Sequence, residues 1–154
     1  MVHSAATQQP SNAALSAFRA LLGSKGYCDD ADVIAPWLTD WRGRYSGKAA
    51  AMLSPANTGE VAALVKIAAA HNVALVPQGG NSGMVAGATP DQSGNAVLLS
   101  LRRINSISQV AADGSIICGA GVILQNLHEM AAKNGRRFPL TLGGKGSADR
   151  KSVV

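Results

Sequence analysis

The sequence predicts an α+β fold. Three observations predict it. A strand, a helix and a second strand follow one another over about thirty residues in the first half of the chain, which is the span of a βαβ unit. Short apolar segments flanking an Asp-Gly turn come next, as in a β-hairpin. One late helix then closes on Asn-Gly. A parallel crossover followed by a hairpin and a helix favours α+β over a doubly wound sheet. The 154 residues hold one domain or two small subdomains, and with 47% apolar and 15% charged residues they are too apolar to be disordered.

The elements follow in chain order. Residues 13–22 place Ala14, Leu15, Phe18, Leu21 and Leu22 at helical spacing, and Gly23 is a natural stop. Residues 31–38 read as a second short helical piece. The apolar run at 51–55 ends in proline and reads as a strand. Asn57 or Thr58 caps the next helix, with Glu60 placed for a capping box onto Asn57. Val61, Leu64, Val65 and Ala68 mark its buried face, and Asn72 ends it. Residues 73–76 are a strand of the fully buried type, so this strand and the one at 51–53 should be parallel. Residues 97–100 are a further strand. Residues 104–110 and 115–118 are two more, joined at Asp113-Gly114. Gly119-Ala120-Gly121 turns the chain into a helix over about 122–133, closed by Asn134-Gly135.

Composition narrows the function classes. Fourteen basic against nine acidic residues give +5, with no basic run, which is weak evidence for an anionic partner. Aromatics are 4%, so base-stacking nucleic-acid modules find little support. Cys28 and Cys118 form no C-x-x-C pair and no disulfide framework, and a reducing compartment is the default. Residues 1–10 lack the apolar core of a signal peptide, and the apolar stretch 61–70 carries Lys66 and is too short to span a bilayer. The expectation is a soluble, cytoplasmic chain with no transmembrane segment. His3, His71 and His128 share no metal-ligand spacing, and no Ser/His/Asp set can be argued, so neither a metal site nor a catalytic residue is assigned. His128 is expected on a helix surface, and Arg42, Arg44, Arg102, Arg103, Arg136 and Arg137 on solvated faces. Cys118 is expected to be a small core residue.

The stretch that can carry chemistry is P-Q-G-G-N-S-G-M-V-A-G, residues 77–87. It follows a buried strand and holds four glycines in eleven residues. Glycines let successive N–H groups turn inward into an anion nest suited to phosphate. Asn81 and Ser82 add short hydrogen-bonding side chains. The rival reading is a flexible glycine-rich surface loop; the flanking proline, the preceding strand and the absence of charge favour a shaped ligand loop. No Walker A string exists, because Lys145 is followed by Gly146. A dinucleotide fingerprint at 119–124 fails at Leu124, where glycine or alanine is needed. The stretch F-P-L-T-L-G-G-K-G-S, residues 138–147, is also glycine-rich, and its Lys145 either neutralises an anionic cofactor or is simply solvated.

In order, T-D-W-R-G-R-Y (39–45), the βαβ unit, P-Q-G-G-N-S-G-M-V-A-G, L-x-R-x-N-x-I (101–107) and F-P-L-T-L-G-G-K-G-S-A (138–148) resemble the N-terminal part of FAD-linked 2-hydroxyacid dehydrogenases. These include D-lactate and D-2-hydroxyglutarate dehydrogenases, with the flavin fold of vanillyl-alcohol oxidase and p-cresol methylhydroxylase. The resemblance covers roughly 29–148. The helical spacing before it sets off a helical extension at 1–28, and the resemblance implies, at 29–148, part of the FAD-binding domain: a βαβ subdomain followed by part of a second mixed subdomain. It also implies that Gln78, Gly79, Gly80, Asn81, Ser82, Gly83 and Gly87 cradle the FAD diphosphate through backbone N–H groups. Pro139, Gly143, Lys145, Gly146 and Ser147 would run past the flavin ring and ribityl chain. Some relatives attach flavin covalently to a histidine in this loop; Asn81 holds that place here, so the implied FAD is non-covalent. Relatives often have Gly-Gly where this chain has Ala86-Gly87, and if that position needs positive φ, alanine costs on the order of 1 kcal/mol.

The tail at 149–154 lacks the family pattern, and one back-translation of it reads as a sequencing adapter, so it is expected to be an assembly artefact. The activity implied is oxidation of a D-2-hydroxy acid to the 2-oxo acid, with an electron acceptor reoxidising the flavin. The substrate-holding groups would lie in a portion beyond this chain, so the 154 residues alone are expected to bind FAD weakly or not at all and to turn nothing over. Two alternatives stay open: a sugar or alcohol oxidase of the same flavin fold, and a non-catalytic anion-binding module.

Overall fold

A computed structural model of the chain describes residues 8–140. The extreme N-terminus and the expected tail at 149–154 lie outside the described residues.

Helix α1 (Asn12–Gly26) starts at Ser11, whose hydroxyl accepts from the Ala14 N–H at 3.2 Å. It buries Ala14 and Phe18. The expected stop at Gly23 is a kink instead: Gly23 takes φ 60° and ψ −171°, and the helix resumes to Gly26. The chain then enters β1 (Tyr27–Cys28), which the sequence reading missed because a two-residue strand carries no periodicity. Asp30 caps α2 (Ala31–Ile34), which runs into a tight turn over Ala35–Trp37.

Strand β2 (Met52–Leu53) leads to α3 (Thr58–Ala70). Asn57 caps α3, taking the Glu60 N–H at 2.9 Å. The Glu60 carboxylate reaches back to the Asn57 side-chain amide at 3.0 Å and to the Ala56 N–H at 2.7 Å. Leu64 and Ala68 are buried as expected. Val65 is not: it is 49% exposed, because it stands about 100° around the helix from Leu64 and points past the sheet.

Strands β3 (Ala74–Gln78) and β4 (Ala96–Ser100) complete a four-stranded sheet of order β1-β2-β4-β3. β2 and β3 run in the same direction, as the crossover requires, but β4 lies between them and is parallel to both. β1 adds antiparallel to β2. All five β4 residues are buried, as befits a central parallel strand. Alternation divides the core between two faces. Leu53, Val97 and Leu99 pack with Phe18, Leu64 and Ala68 from α1 and α3. Met52 and Leu98 pack with Ile34 and with the half-buried Trp37, Leu38 and Val76. β3 is an edge strand. The Gln78 carbonyl faces β4, accepting from the Leu101 N–H at 3.0 Å, so the backbone of the neighbouring Pro77 faces outward and its missing N–H removes no ladder bond.

The second half departs from expectation. Residues 104–110 and 115–118 fold back on each other but form one antiparallel bridge, Ile107 to Cys118, instead of two strands. The Asp113-Gly114 turn is present, with Gly114 at φ 90° and Ala111 N–H donating to the Ser115 carbonyl at 2.9 Å. An isolated pair of strands is marginal in water, and among the described residues no third strand joins this one. Gly119 and Gly121 tuck beneath the exit of β4. A Cβ on Gly121 would stand 2.2 Å from the Leu101 carbonyl oxygen, and one on Gly119 would stand 2.3 Å from that of Ile104. Helix α4 (Leu124–Lys133) begins two residues later than expected, at Ile123, which offers no side-chain cap. Leu124, Leu127 and Ala131 face inward, and Gly135 at φ 65° ends the element as expected.

Among the described residues, no helix is long and apolar enough to cross a membrane, and no group of three His, Cys, Asp or Glu side chains could hold a metal ion.

Candidate functional site

The three parallel strands end on one side of the sheet, and ligands of such sheets bind beyond the carboxyl ends of the strands. β3 runs directly into the turn at Gly79, Gly80, Asn81, Ser82 and Gly83. Gly80 is buried, while Gly79, Asn81, Ser82 and Gly83 are half-buried. Among the described residues, the N–H groups of Gly79, Gly80 and Gly83 donate to no carbonyl in the loops. A Cβ on Gly83 or on Gly87 would meet nothing within 4 Å, so the space above both is open. No charged side chain occurs from Pro77 to Pro90. Unclaimed amides, open space and the absence of acidic groups suit the diphosphate of a dinucleotide.

Two residues in the loop hold left-handed backbone without being glycine: Asn81 at φ 55° and Ala86 at φ 57°. Asparagine tolerates this region. Alanine does not, and the positive φ that the comparison with Gly-Gly relatives raised at position 86 is what the backbone adopts. The Asn81 side chain donates to the Thr39 carbonyl at 2.6 Å, so it serves the neighbouring segment.

The Gln78 side chain also turns away from the turn. It is 2% exposed, and its Nε2 donates to the Trp37 and Ala88 carbonyls, each at 2.9 Å. The loop is thereby tied to residues 37–45. That segment folds around Asp40, 6% exposed, whose carboxylate accepts the N–H groups of Tyr45 at 2.6 Å, Arg44 at 2.7 Å and Arg42 at 3.1 Å. The Tyr45 N–H foremost holds this carboxyl below the ordinary range, outweighing its burial, with the Arg42 and Arg44 N–H groups acting the same way. A cavity of about 330 Å³ between the two loops is lined by Tyr45, Ser46, Ala86, Thr89 and Pro90 among others. The Thr89 hydroxyl oxygen is buried with no partner among the described residues.

Beyond the ends of β2 and β4 lies a second opening of about 430 Å³, lined by Lys25, Ser54, Ser100, Arg102, Arg103 and Asn105 among others. Of its arginines, Arg103 is exposed as expected while Arg102 is half-buried, and both are engaged. The Arg102 guanidinium lies 3.7 Å from the centre of the Trp37 ring, and its Nε donates to Ser100 Oγ at 3.0 Å. Arg103 donates to the carbonyls of Ser54 at 2.6 Å and Lys25 at 3.2 Å. Both arginines pin backbone or ring, which basic residues do when carbonyls converge on them. Arg42, Arg44, Arg136 and Arg137 are exposed as expected.

His128 is also corrected. It faces inward, edge-on to Phe138 with ring centres 5.7 Å apart, and its Nε2 is buried without a partner among the described residues. Cys118 is half-buried, a looser place than a core position. Pro139 is exposed at the end of the described residues. Gly143, Lys145, Gly146 and Ser147 lie outside them.

Sequence reasoning missed Trp37, Thr39 and Asp40 as supports of the turn. Asp40 carried a legible signal: an aspartate accepts the N–H two residues on, here that of Arg42, and so forms an Asx-type turn. Trp37 and Thr39 contribute carbonyls, which leave no mark in the sequence.

Comparisons with known proteins identify the family and the fold. Residues 49–148 match a family described as an FAD binding domain. The chain is 37% identical over 134 residues to the mitochondrial D-2-hydroxyglutarate dehydrogenase of Arabidopsis thaliana, covering 86% of this chain and 24% of that protein. It is 35% identical over 119 residues to the mitochondrial D-2-hydroxyglutarate dehydrogenase of Bos taurus, covering 77% of this chain and 22% of that protein. The chain thus spans about a quarter of the length of these curated relatives. Among solved structures, p-cresol methylhydroxylase with substrate bound superposes with a TM-score of 0.66 at 23% identity, over 80% of this chain and 25% of that one. The fold is therefore the flavin-binding fold of that type, as the sequence implied. The expected cytoplasmic location is overturned, because these relatives are mitochondrial. The cysteine count could not separate the cytosol from another reducing compartment.

Proposed function

The chain belongs to the FAD binding domain family, and from that premise we propose that it is the cofactor-holding part of a flavin-dependent dehydrogenase of D-2-hydroxy acids. The observation that carries the reading is the glycine turn at the carboxyl end of β3, where, among the described residues, the N–H groups of Gly79, Gly80 and Gly83 are unclaimed and the space above Gly83 and Gly87 is open. These amides hold the diphosphate, and Ser82 borders it. Pro139 and the stretch carrying Gly143, Lys145, Gly146 and Ser147 extend the same site. FAD, when bound, supplies the acceptor for a hydride equivalent leaving the substrate α-carbon. The residues of this chain bind and orient; none of them is assigned to proton transfer. The substrate 2-hydroxy acid and the electron acceptor belong to the whole protein.

The names of the relatives favour D-2-hydroxyglutarate as substrate and the mitochondrion as location. Asn81 offers no nucleophile and its amide is engaged with Thr39, which favours non-covalent FAD. The test is the full-length gene product, purified and scanned for flavin absorption, then precipitated with acid and assayed with D-2-hydroxyglutarate, D-lactate and glycolate and an artificial electron acceptor. The expected result is a yellow protein whose flavin stays in the acid supernatant and is reduced by D-2-hydroxyglutarate. A colourless protein that takes up no added FAD overturns the reading. Flavin reduced by a sugar or simple alcohol and not by these acids moves it to an oxidase of the same fold.

A further inference from the structure

We propose that the buried side-chain amide of Gln78 is a positioning group for the turn: it acts through the backbone and sets the geometry of the diphosphate-binding amides before ligand arrives. The inference rests on the FAD reading above.

A primary amide is expensive to bury unless its hydrogens are satisfied, and an apolar side chain of the same length would fill the space without that cost. Gln78 is 2% exposed and spends both Nε2 hydrogens on carbonyls from different segments, those of Trp37 and Ala88. Gln78 is the last residue of β3 and Ala88 follows Gly87, so one amide closes the entrance of the loop onto its exit. The loop has little of its own to do this. Among the described residues, the one backbone–backbone hydrogen bond within residues 79–89 runs from Thr89 N–H to the Ala86 carbonyl, at 3.0 Å. A glycine-rich loop with so few internal bonds would otherwise lose much conformational entropy on gripping a ligand.

The far end of the tie is firm. Trp37 carries the Arg102 guanidinium on its ring, and Arg102 is bonded to Ser100 at the end of β4. Asn81 adds a third tie, to Thr39. A satisfied buried polar network of this kind specifies one arrangement more than it adds stability.

The test compares the full-length gene product with its Gln78→Met and Asn81→Gly variants. Asn81→Gly keeps positive φ accessible while removing the tie. FAD affinity is read from quenching of flavin fluorescence, and the bound diphosphate is read by phosphorus NMR at saturating FAD. The expected result for Gln78→Met is a Kd about tenfold weaker, the loss of roughly one good hydrogen bond, with shifted diphosphate resonances; Asn81→Gly shows the same pattern at smaller size. A folded Gln78→Met protein with the Kd and the resonances of the parent overturns the proposal while leaving FAD binding intact. If Gln78→Met fails to fold, Asn81→Gly decides alone, and parental values there overturn it equally. Failure of the parent to bind FAD removes the premise, a different outcome.

Discussion

From Asn12 to Ser100 the chain is built around buried apolar side chains, and from Leu101 to Gly121, before α4 buries Leu124, Leu127 and Ala131, it is held largely by its own backbone. The first region has a sheet with an apolar core on each face, built from fully buried groups such as Phe18, Leu53, Leu64 and Leu98. In the second, Gly119 and Gly121 pass against the carbonyls of Ile104 and Leu101, one β-bridge replaces a hairpin, and Ile117 is 81% exposed. The difference teaches where apolar alternation acts. It becomes a strand only where a neighbouring strand accepts its ladder and a helix covers its face; without those, the same pattern yields a turn and a bridge.

Substitutions can break or sharpen this contrast. Leu98→Ala, in the centre of the sheet, should cost about 3 kcal/mol in urea unfolding, by lost burial and a cavity. An effect no larger than that of a surface change would mean the sheet core is not the main support. Gly121→Ala should cost about 2 kcal/mol, because a Cβ there meets backbone that cannot step aside. Ala86→Gly should stabilise by about 0.5–1 kcal/mol, since relief of the left-handed alanine exceeds the entropy added to the unfolded chain. A loss would show that the φ of 57° is not held in solution.

Smaller is the acid response. Asp40 and Asp113 both have carboxyls held below their ordinary value, Asp40 chiefly by the Tyr45 N–H and Asp113 chiefly by the Ser115 N–H. Depressed carboxyls stabilise the fold above about pH 4, and that contribution is lost as pH falls through their folded values. Asp40→Asn should therefore flatten the fall of Tm between about pH 5 and pH 2, and Asp113→Asn, with one backbone amide where Asp40 has three, should flatten it less. The smallest effect is expected from Ile117→Ser, within about 0.5 kcal/mol of the parent.

The legible parts were those whose partners are local. The capping of α3 by Asn57 and Glu60 and the parallel direction of β2 and β3 could be read from spacing alone. The insertion of β4 between them could not, because strand order is decided by packing between segments far apart in sequence. In the site, a turn after β3 was readable from the run of glycines, but its left-handed positions, Asn81 and Ala86, were not. The direction of the Gln78 side chain was not, because it answers to carbonyls of Trp37 and Ala88, and every residue type carries a carbonyl. His128 was misplaced for a related reason: its helix was foreseen, but the approach of Phe138 to that face was not.

Pro77 has a consequence beyond the single molecule. Among the described residues β3 borders the sheet, and a border strand invites another polypeptide to add itself by hydrogen bonding. At Pro77 the outward-facing position has a ring in place of a donor, so a foreign strand laid along β3 would find a gap and a steric bump where it needs a partner. Among the described residues, Pro77 thus makes the open flank of β3 a poor template for a foreign strand.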